Sequence, residues 1–261
     1  MKKTIYPANS NIYLIINNGA RVLQNKYNEF AEYVSNNNIN VITYNYSDTD
    51  VPENKLKTSN ASIQKWAACD MKTIIDSIID TNSEAKIFVL GHSLGGQIIG
   101  LTENCAKLDG VILVAAQTGY WKFWPFPLNI INYLTWFLYV PMLLKTYGFF
   151  PKGNDKNLSH MPKRAATDWM RWCRSPNYLF DNISLSEQYY DTIKCPLLSI
   201  SFGDDLYATK QAVDWLTSKY QNAKLNRVHY TSKEHTYGHS SAFESSNFST
   251  IGNDIINFIK T

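Results

Sequence analysis

The sequence predicts an α/β fold in which a mostly parallel sheet is covered by helices on both faces. Short apolar segments of strand length alternate along most of the chain with longer segments whose apolar residues recur at helical spacing. The connections between these segments are short, as they are in β-α-β units. One apolar segment also runs directly into the pentapeptide GHSLG at residues 91–95, and a helical pattern follows it. Together these observations predict a parallel sheet with a sharp strand-to-helix turn at Ser93.

The first part of the sheet is predicted from two strand-like segments and the helices that follow them. Residues 12–17 (IYLIIN) and 40–46 (NVITYNY) are the predicted strands. Between them, Tyr27 and Val34 lie at the two ends of an apolar helical face. A second helix is predicted from about residue 62 to 80, where isoleucines and other apolar residues repeat at helical spacing.

The segment around Ser93 is the part of the sequence that most clearly predicts a catalytic function. Residues 85–90 are apolar except for one lysine and predict a buried strand, which the pentapeptide and a helical pattern follow. In this setting G-x-S-x-G is typical of a nucleophile elbow, a turn that lifts a serine hydroxyl above the sheet. Gly91 and Gly95 provide the space that so tight a turn requires. We therefore predict that Ser93 is a nucleophile; the alternative is a glycine-rich structural turn.

The alternation of strands and helices continues after the turn, with one interruption. Strands are predicted at residues 111–116 (VILVAA), 197–202 (LLSISF) and 225–230 (LNRVHY). Helices are predicted around residues 210–220 and 249–259. We predict a core formed by residues 1–116 and 192–261.

The interruption, residues 117–191, is predicted to be a helical cap inserted into this core. It contains five of the seven tryptophans and several prolines. Within it, residues 128–144 are apolar and uncharged, but they are short for a membrane span and include two asparagines and Pro141. We predict a cap over the carboxyl edge of the sheet, with apolar side chains toward the site. Contact between this cap and a lipid surface is a further, weaker alternative.

Composition excludes several other classes of function. The net charge of +3 comes without a basic run, so neither a nucleic acid nor an anionic membrane is an expected partner. The four cysteines show no C-x-x-C spacing, and we predict neither a metal site nor a cofactor. The N-terminal residues do not resemble a signal peptide, which leads us to expect a cytoplasmic protein with reduced thiols.

A nucleophilic serine requires a histidine to accept its proton and a carboxylate to orient that histidine. Both partners are expected in loops after later strands, in the chain order serine, acid, histidine. Asp204 and Asp205 follow the strand at 197–202, and His235 and His239 follow the strand at 225–230. The order and the positions both agree with a catalytic triad.

The choice within each pair depends on the neighbouring residues. Asp205 precedes an apolar segment that can turn back under the sheet edge, whereas Asp204 is better suited to capping or to solvent; we favour Asp205 and keep Asp204 as the second choice. His239 follows a glycine and precedes apolar residues, and we favour it over His235. His92 lies within the pentapeptide, where we expect its side chain to point away from Ser93.

The negative charge that develops on a reacting carbonyl oxygen also requires two N–H donors. The first candidate is the N–H of Leu94, at the start of the helix that follows the turn. The second is the N–H of Ala20, in the loop after the strand at 12–17, where Asn18 and Gly19 leave the backbone accessible. The alternative for this loop is a plain turn.

Several of these segments together resemble the α/β-hydrolase superfamily, and most closely a group of serine hydrolases related to serine aminopeptidases and monoacylglycerol lipases. The segments are IINNGARVLQNKYNEFAEYVSNNNINVITYNY, SIQKWAACDMKTIID, GHSLGGQIIG, GDDLYA, GHSSAF and, at the end of the cap, PKRAATDWMRWCRSPNYLF. The resemblance implies an α/β-hydrolase fold of the eight-stranded type, with the cap inserted after the sixth strand. It also implies Ser93 as nucleophile, Asp205 as acid, His239 as base, and Ala20 and Leu94 as oxyanion donors.

Two departures from the superfamily pattern lie away from these residues. Few residues precede the strand at 12–17, so we expect a shortened N-terminal hairpin. Residues 46–50 (YSDTD) stand where relatives often carry an Arg-Gly pair.

The predicted function is that of a serine hydrolase that cleaves a carboxylic ester with an apolar acyl or aryl group. The aromatic cap, which carries no charge between Lys122 and Lys145, favours such a small-molecule substrate over a peptide with a free amine. An aminopeptidase, a thioesterase or an acyltransferase of the same fold are the alternatives, and a non-catalytic binding module is an alternative of another class.

Overall fold

Residues 1–231 and 236–261 of the computed structural model are described here, and nine strands lie within these ranges. They are β1 (Lys3–Tyr6), β2 (Ile12–Asn17), β3 (Asn40–Tyr44), β4 (Lys86–His92), β5 (Gly110–Val114), β6 (Phe149–Phe150), β7 (Met161–Pro162), β8 (Pro196–Phe202) and β9 (Lys224–Tyr230). Seven of these strands form one sheet in the order β1-β3-β2-β4-β5-β8-β9, and β6 pairs with β7 alone. Within the large sheet, β1 is antiparallel to β3 and every other neighbouring pair is parallel.

Ten α-helices lie in the same ranges. They are α1 (Asn28–Ser35), α2 (Glu53–Leu56), α3 (Ile63–Lys65), α4 (Lys72–Thr81), α5 (Leu94–Gln97), α6 (Leu128–Leu134), α7 (Val140–Tyr147), α8 (Lys163–Arg174), α9 (Lys210–Thr217) and α10 (Asn253–Lys260). A π-helical segment, Trp66–Met71, joins α3 to α4, so the helix predicted near residues 62–80 is formed in three successive parts.

The sheet has a separate hydrophobic core on each face because successive side chains of a strand point in opposite directions. On β4, Val89 belongs to the core that α4 covers, and Leu90 belongs to the core that α1 and α10 cover. On β5, Leu113 and Val114 are divided between the two cores in the same way. The mostly parallel, doubly covered sheet predicted from the sequence is confirmed.

The helix that follows Ser93 is much shorter than its sequence pattern predicts. After the four residues of α5, the chain forms separate 3₁₀ turns at Ile99–Leu101 and Cys105–Lys107. Glycine is a weak helix former, and this segment contains three glycines. The ring of Tyr190 packs directly on one of them, Gly100. A β-carbon at Gly100 would lie 2.4 Å from Cγ of this ring. Close packing therefore outweighs helical periodicity here.

The segment between β5 and β8 contains the predicted cap. It follows β5, the fifth strand of the large sheet in chain order. The resemblance to an eight-stranded sheet had implied an insertion after the sixth strand. Its longest helical stretch consists of α6, a π-helical segment (Thr135–Tyr139) and α7. In the described ranges no helix is both long enough and apolar enough to cross a membrane. The limits of the core and the cap stay a prediction.

Candidate active site

Ser93 lies in a strained turn between β4 and α5. Its backbone adopts φ 51° and ψ −118°, a conformation that a non-glycine residue rarely takes. Its N–H donates a hydrogen bond to the carbonyl of Val114 at 2.9 Å, which ties the turn to β5. A β-carbon at Gly91 would lie 2.3 Å from Cα of Gly96, and one at Gly95 would lie 2.3 Å from the carbonyl oxygen of Asn17. Only glycine therefore fits at these two positions.

His239 and Asp205 are in direct contact, although 33 residues separate them in the sequence. Nδ1 of His239 lies 2.7 Å from Oδ2 of Asp205, and the Asp205 residue is 4% exposed. The N–H groups of Tyr207 and Ala208 donate to Oδ1 of the same carboxylate, at 2.8 and 2.9 Å. Burial opposes ionisation of Asp205, but the contact with His239 and these N–H groups hold its pKa below the ordinary value. The carboxylate is therefore charged at neutral pH and oriented by three donors.

Asp204, the second-choice acid, contacts backbone instead of an imidazole. Its two carboxylate oxygens accept hydrogen bonds from the N–H groups of Tyr237 and Gly238, at 2.8 and 3.1 Å. Gly238 has φ 67°, in the left-handed region that favours glycine. Asp204 thus fixes the turn that precedes His239. His235, the second-choice base, lies outside the described residues.

His92 forms a buried hydrogen-bond network that joins the loop after β2 to His239. The hydroxyl of Tyr27 accepts a hydrogen bond from the N–H of Gly19 at 2.9 Å and lies 2.8 Å from Nδ1 of His92. Nε2 of His92 lies 3.1 Å from the carbonyl oxygen of His239, an atom that can only accept. Nε2 must therefore carry the proton, and Tyr27 donates to Nδ1. Burial, together with the nearby His239, lowers the pKa of His92 to about 3, so this ring is neutral.

The loop after β2 packs against the turn at Ser93. The side chain of Asn17 donates to the carbonyl of Gly95 at 3.3 Å and accepts from the hydroxyl of Tyr44 at 2.7 Å. No hydrogen bond connects the N–H of Ala20 or of Leu94 to another residue in the described part of the chain. Both predicted oxyanion donors are therefore unengaged by any described residue.

A cavity of about 690 Å³ opens at the carboxyl ends of the parallel strands. Ser93, His239, Gly19 and Ala20 all line it, and the Ser93 hydroxyl forms no hydrogen bond to a described residue. Most of the other lining residues lie between β5 and β8, and they include the apolar side chains of Leu128, Ile131, Trp136, Phe150 and Trp169. A cavity of about 760 Å³ at the opposite edge of the sheet, between β9 and α10, contains none of the candidate catalytic residues. The chemistry and the space for a substrate thus coincide in the first cavity.

The sequence pattern described as "Serine aminopeptidase, S33" matches residues 9–168, more than half of the chain. The chain belongs to this family. It is therefore a member of a hydrolase family, and the matched range contains Ala20, Ser93 and Leu94. Asp205 and His239 lie beyond the match, so their assignment depends on the geometry described above. No curated protein matches the chain.

Solved structures of similar fold include lipases and an esterase. The monoacylglycerol lipase of Paleococcus ferrophilus is 15% identical, with a TM-score of 0.62 over 99% of this chain and 97% of that one. A soluble variant of the monoglyceride lipase of Saccharomyces cerevisiae is 13% identical, with a TM-score of 0.70 over 99% of this chain and 90% of that one. An esterase from Exiguobacterium antarcticum is 14% identical, with a TM-score of 0.62 over 99% of this chain and 95% of that one. At such low identity the likeness concerns the fold, and the predicted α/β-hydrolase fold is confirmed.

Three residues of this S33 family member were not predicted to belong to the site. His92 is one of the lining residues, and its buried ring, which contacts Tyr27 and the carbonyl of His239, has its centroid 5.1 Å from that of the His239 ring. Tyr27 follows the apolar pattern of its segment, and nothing in that pattern indicates a buried hydrogen bond to a histidine. Arg21 lines the cavity as well, next to the predicted donor Ala20. Its position directly after Ala20 in the sequence was the signal that could have placed Arg21 at the site.

Within residues 1–231 and 236–261, no group of three or more His, Cys, Asp and Glu side chains is arranged to hold a metal ion.

Proposed function

We propose that this protein is a serine hydrolase that cleaves carboxylic esters of apolar acyl or aryl groups through an acyl-enzyme on Ser93. The observation that carries the proposal is the 2.7 Å contact between His239 and the buried Asp205, on the wall of the cavity that Ser93 also lines. Catalytic hydrogen bonds to a nucleophile are often long without substrate and shorten when it binds. A Ser93 hydroxyl without a hydrogen-bond partner among residues 1–231 and 236–261 is compatible with this role.

In the first half of the proposed reaction, Nε2 of His239 accepts the Ser93 proton as the oxygen attacks the ester carbonyl. The electron pair of the C=O bond moves to oxygen, and the N–H groups of Ala20 and Leu94 bind the resulting oxyanion. The carbonyl then re-forms as the bond to the alcohol breaks, and His239 gives its proton to the leaving oxygen. Asp205 holds the ring with Nδ1–H toward its carboxylate and stabilises the transient positive charge.

In the second half, a water molecule replaces the alcohol. As this water attacks the acyl-enzyme, His239 accepts a proton from it, and the same N–H groups bind the second oxyanion. When this intermediate collapses, the ester bond to Ser93 breaks and His239 returns the proton to the serine oxygen. The free acid is released, and the enzyme regains its starting state.

The cavity supports an ester in preference to a peptide with a free amine. Recognition of an ammonium group calls for a carboxylate near the scissile bond, and none lines the cavity in the described part of the chain. Aromatic and aliphatic side chains of the cap instead offer an apolar surface to an acyl or aryl group. The lipase and esterase names of several proteins with this fold are consistent with such a substrate.

The family name keeps an aminopeptidase as the second candidate. Parallel assays with p-nitrophenyl acyl esters and aminoacyl p-nitroanilides separate the two, because both release a chromophore and differ in the bond that is cleaved. A thioesterase or an acyltransferase would show higher turnover with acyl thioesters or with an added alcohol acceptor. Labelling of the folded protein by a fluorophosphonate, and its loss in Ser93→Ala, tests the proposed nucleophile. A non-catalytic binding module would not be labelled.

We further propose that the cap contacts a lipid surface. Along the stretch formed by α6, the π-helical segment and α7, residues 132, 136, 140 and 144 are buried, whereas Ile130, Leu134, Leu138 and Met142 are 46–63% exposed. The exposed residues recur every four positions and form an apolar row on the outer side of the helices, away from the sheet. No charged residue interrupts the segment between Lys122 and Lys145. A lipid surface is the occupant that fits an apolar row with a lysine at each end.

A further inference from the structure

Arg21 places a positive charge in the wall of the cavity. It directly follows Ala20, has φ 64°, and lines the cavity together with Val22 and Phe150. It is the only Asp, Glu, Lys or Arg side chain in the lining that the described residues form. Its guanidinium lies against the ring of Phe150, another lining residue, which places the charge beside the cavity.

The contacts of the guanidinium leave part of its donor capacity unused. Nη2 donates to the carbonyl of Pro151, and Nε donates weakly to the carbonyl of Ser159, at 3.5 Å. The ring of Phe150 lies against the guanidinium, with its centroid 4.2 Å from Cζ. A guanidinium has five N–H donors, so three are unassigned. Both occupied donors point at neutral carbonyl groups, which do not balance the charge.

No counter-ion of Arg21 is present in the part of the chain that the structure describes. Among the ion pairs within 4.0 Å that the described residues form, none involves Arg21. Glu53 is 3.7 Å from His160, and this pair does not include the guanidinium. Burial lowers the pKa of Arg21, yet an arginine stays protonated in proteins. A half-buried charge without a counter-ion is unfavourable, and an anion bound beside it would offset that cost.

We propose that Arg21 binds a carboxylate of the substrate, so that the preferred esters are apolar chains that end in a carboxylate. This inference rests on the proposed esterase function and specifies its substrate. The carboxylate would lie remote from the scissile carbonyl, because the side chain of Arg21 leads away from Ala20 toward Pro151 and Ser159. One cation with a planar set of free N–H groups matches one carboxylate in charge and shape. A phosphate dianion would leave excess negative charge in an apolar cavity.

A structural role for Arg21 predicts a different outcome. The loop after β2 is already fastened to the cap through backbone, since the N–H of Ser159 donates to the carbonyl of Arg21 at 2.7 Å, and that of Leu23 donates to Asn157 at 2.8 Å. If the guanidinium only reinforced this contact, its loss would affect charged and neutral substrates equally. The ratio of activities on two such substrates therefore separates the two roles.

The test compares two p-nitrophenyl esters of equal length, mono-p-nitrophenyl adipate and its neutral methyl ester. We expect wild-type kcat/KM to be higher for the anionic ester, and the anionic-to-neutral ratio to fall about 10- to 100-fold in Arg21→Gln. Arg21→Lys should retain part of the preference. Arg164→Gln, which removes the same charge from an exposed position on α8, should leave the ratio unchanged. A wild-type ratio below one, or a ratio that Arg21→Gln does not change, overturns the inference. A larger Arg21-dependent preference for an ester ending in phosphate overturns the assignment to a carboxylate.

A binding measurement separates this inference from the proposed function. In Ser93→Ala, monomethyl adipate and dimethyl adipate can be titrated while tryptophan fluorescence, to which the cavity residues Trp124, Trp136 and Trp169 contribute, is recorded. We expect tighter binding of the monoanion, lost when Arg21→Gln is added. If this holds but no ester is hydrolysed by the wild type, the site binds carboxylates and the esterase proposal is wrong. If esters are hydrolysed but the two ligands bind equally, the inference about Arg21 is wrong.

Discussion

The imidazole of His92 contacts the main chain of His239, with Nε2 3.1 Å from the carbonyl oxygen. The same ring accepts a hydrogen bond from Tyr27, whose hydroxyl is bound by the N–H of Gly19. A single buried network therefore positions both the backbone of the proposed base and the loop that carries Ala20. Because this network requires neutral His92, it makes the stability of the protein depend on pH.

Stability should fall in acid partly because of His92. In the unfolded chain this histidine takes up a proton near its ordinary pKa of 6.5, whereas the folded protein binds it only near pH 3. Below about pH 6.5 the unfolded state therefore binds more protons, and the free energy of unfolding falls by about 1.4 kcal/mol per pH unit from this group. The stability that the neutral His92 ring contributes is fully present above pH 6.5. Urea unfolding at a series of pH values between 4 and 7 measures this slope.

The control for this prediction is His92→Gln, whose amide can accept from Tyr27 and donate to His239 without titrating. The other titrating groups are shared, so the difference between the two slopes isolates His92. Parallel curves for wild type and His92→Gln would contradict the assigned neutral state.

The two adjacent aspartates should differ in their effect on turnover. Asp205→Asn removes the charge that orients His239, and we expect kcat on p-nitrophenyl esters to fall about 10⁴-fold. Asp204→Asn keeps an acceptor for one of the backbone N–H groups before His239, and we expect a loss of only about 10-fold. Equal losses in the two variants would mean that the contact between Asp205 and His239 is not the one that matters for catalysis.

Removal of the nucleophile should abolish catalysis without destabilising the fold. We expect Ser93→Ala to lower kcat by about 10⁴-fold or more and to lose fluorophosphonate labelling. Its thermal midpoint should match that of the wild type, because the Ser93 hydroxyl has no hydrogen-bond partner in the described residues. His239→Ala should show a loss of similar size, since the two residues act as a unit. Turnover within 10-fold of wild type in Ser93→Ala would exclude the proposed acyl-enzyme.

Binding to lipid should depend on the apolar row of the cap. Leu138 is 63% exposed, and Leu138→Glu replaces a side chain that can enter a bilayer surface with a charge. We expect affinity for phosphatidylcholine vesicles to fall about 10-fold or more in co-sedimentation. Leu185→Glu is the matched control, because Leu185 is 84% exposed but lies outside the helical stretch from α6 to α7 that carries the apolar row. An equal loss in both variants would indicate a nonspecific effect of charge.

Local patterns in the sequence predict much of the fold. The strands at residues 12–17 and 197–202 are found where apolar segments of strand length predict them. The turn at Ser93 is local only in part, because Gly91 is required by the nearby Gly96, whereas Gly95 is required by Asn17 on the adjoining strand. The helix after the turn is not predicted correctly in length, since packing of Tyr190 on Gly100 depends on a residue ninety positions away.

Patterns along the chain were sufficient to predict the sheet, the turn at Ser93 and the short set of residues from which a base and an acid could come. The three-dimensional arrangement was needed to show that Asp205 contacts the imidazole of His239, while Asp204 binds the backbone before it. It alone also placed His92 and Arg21 at the cavity. Periodicity and turn residues act between neighbours in the chain, whereas a loop side chain is directed by strands that are distant in sequence and adjacent in space.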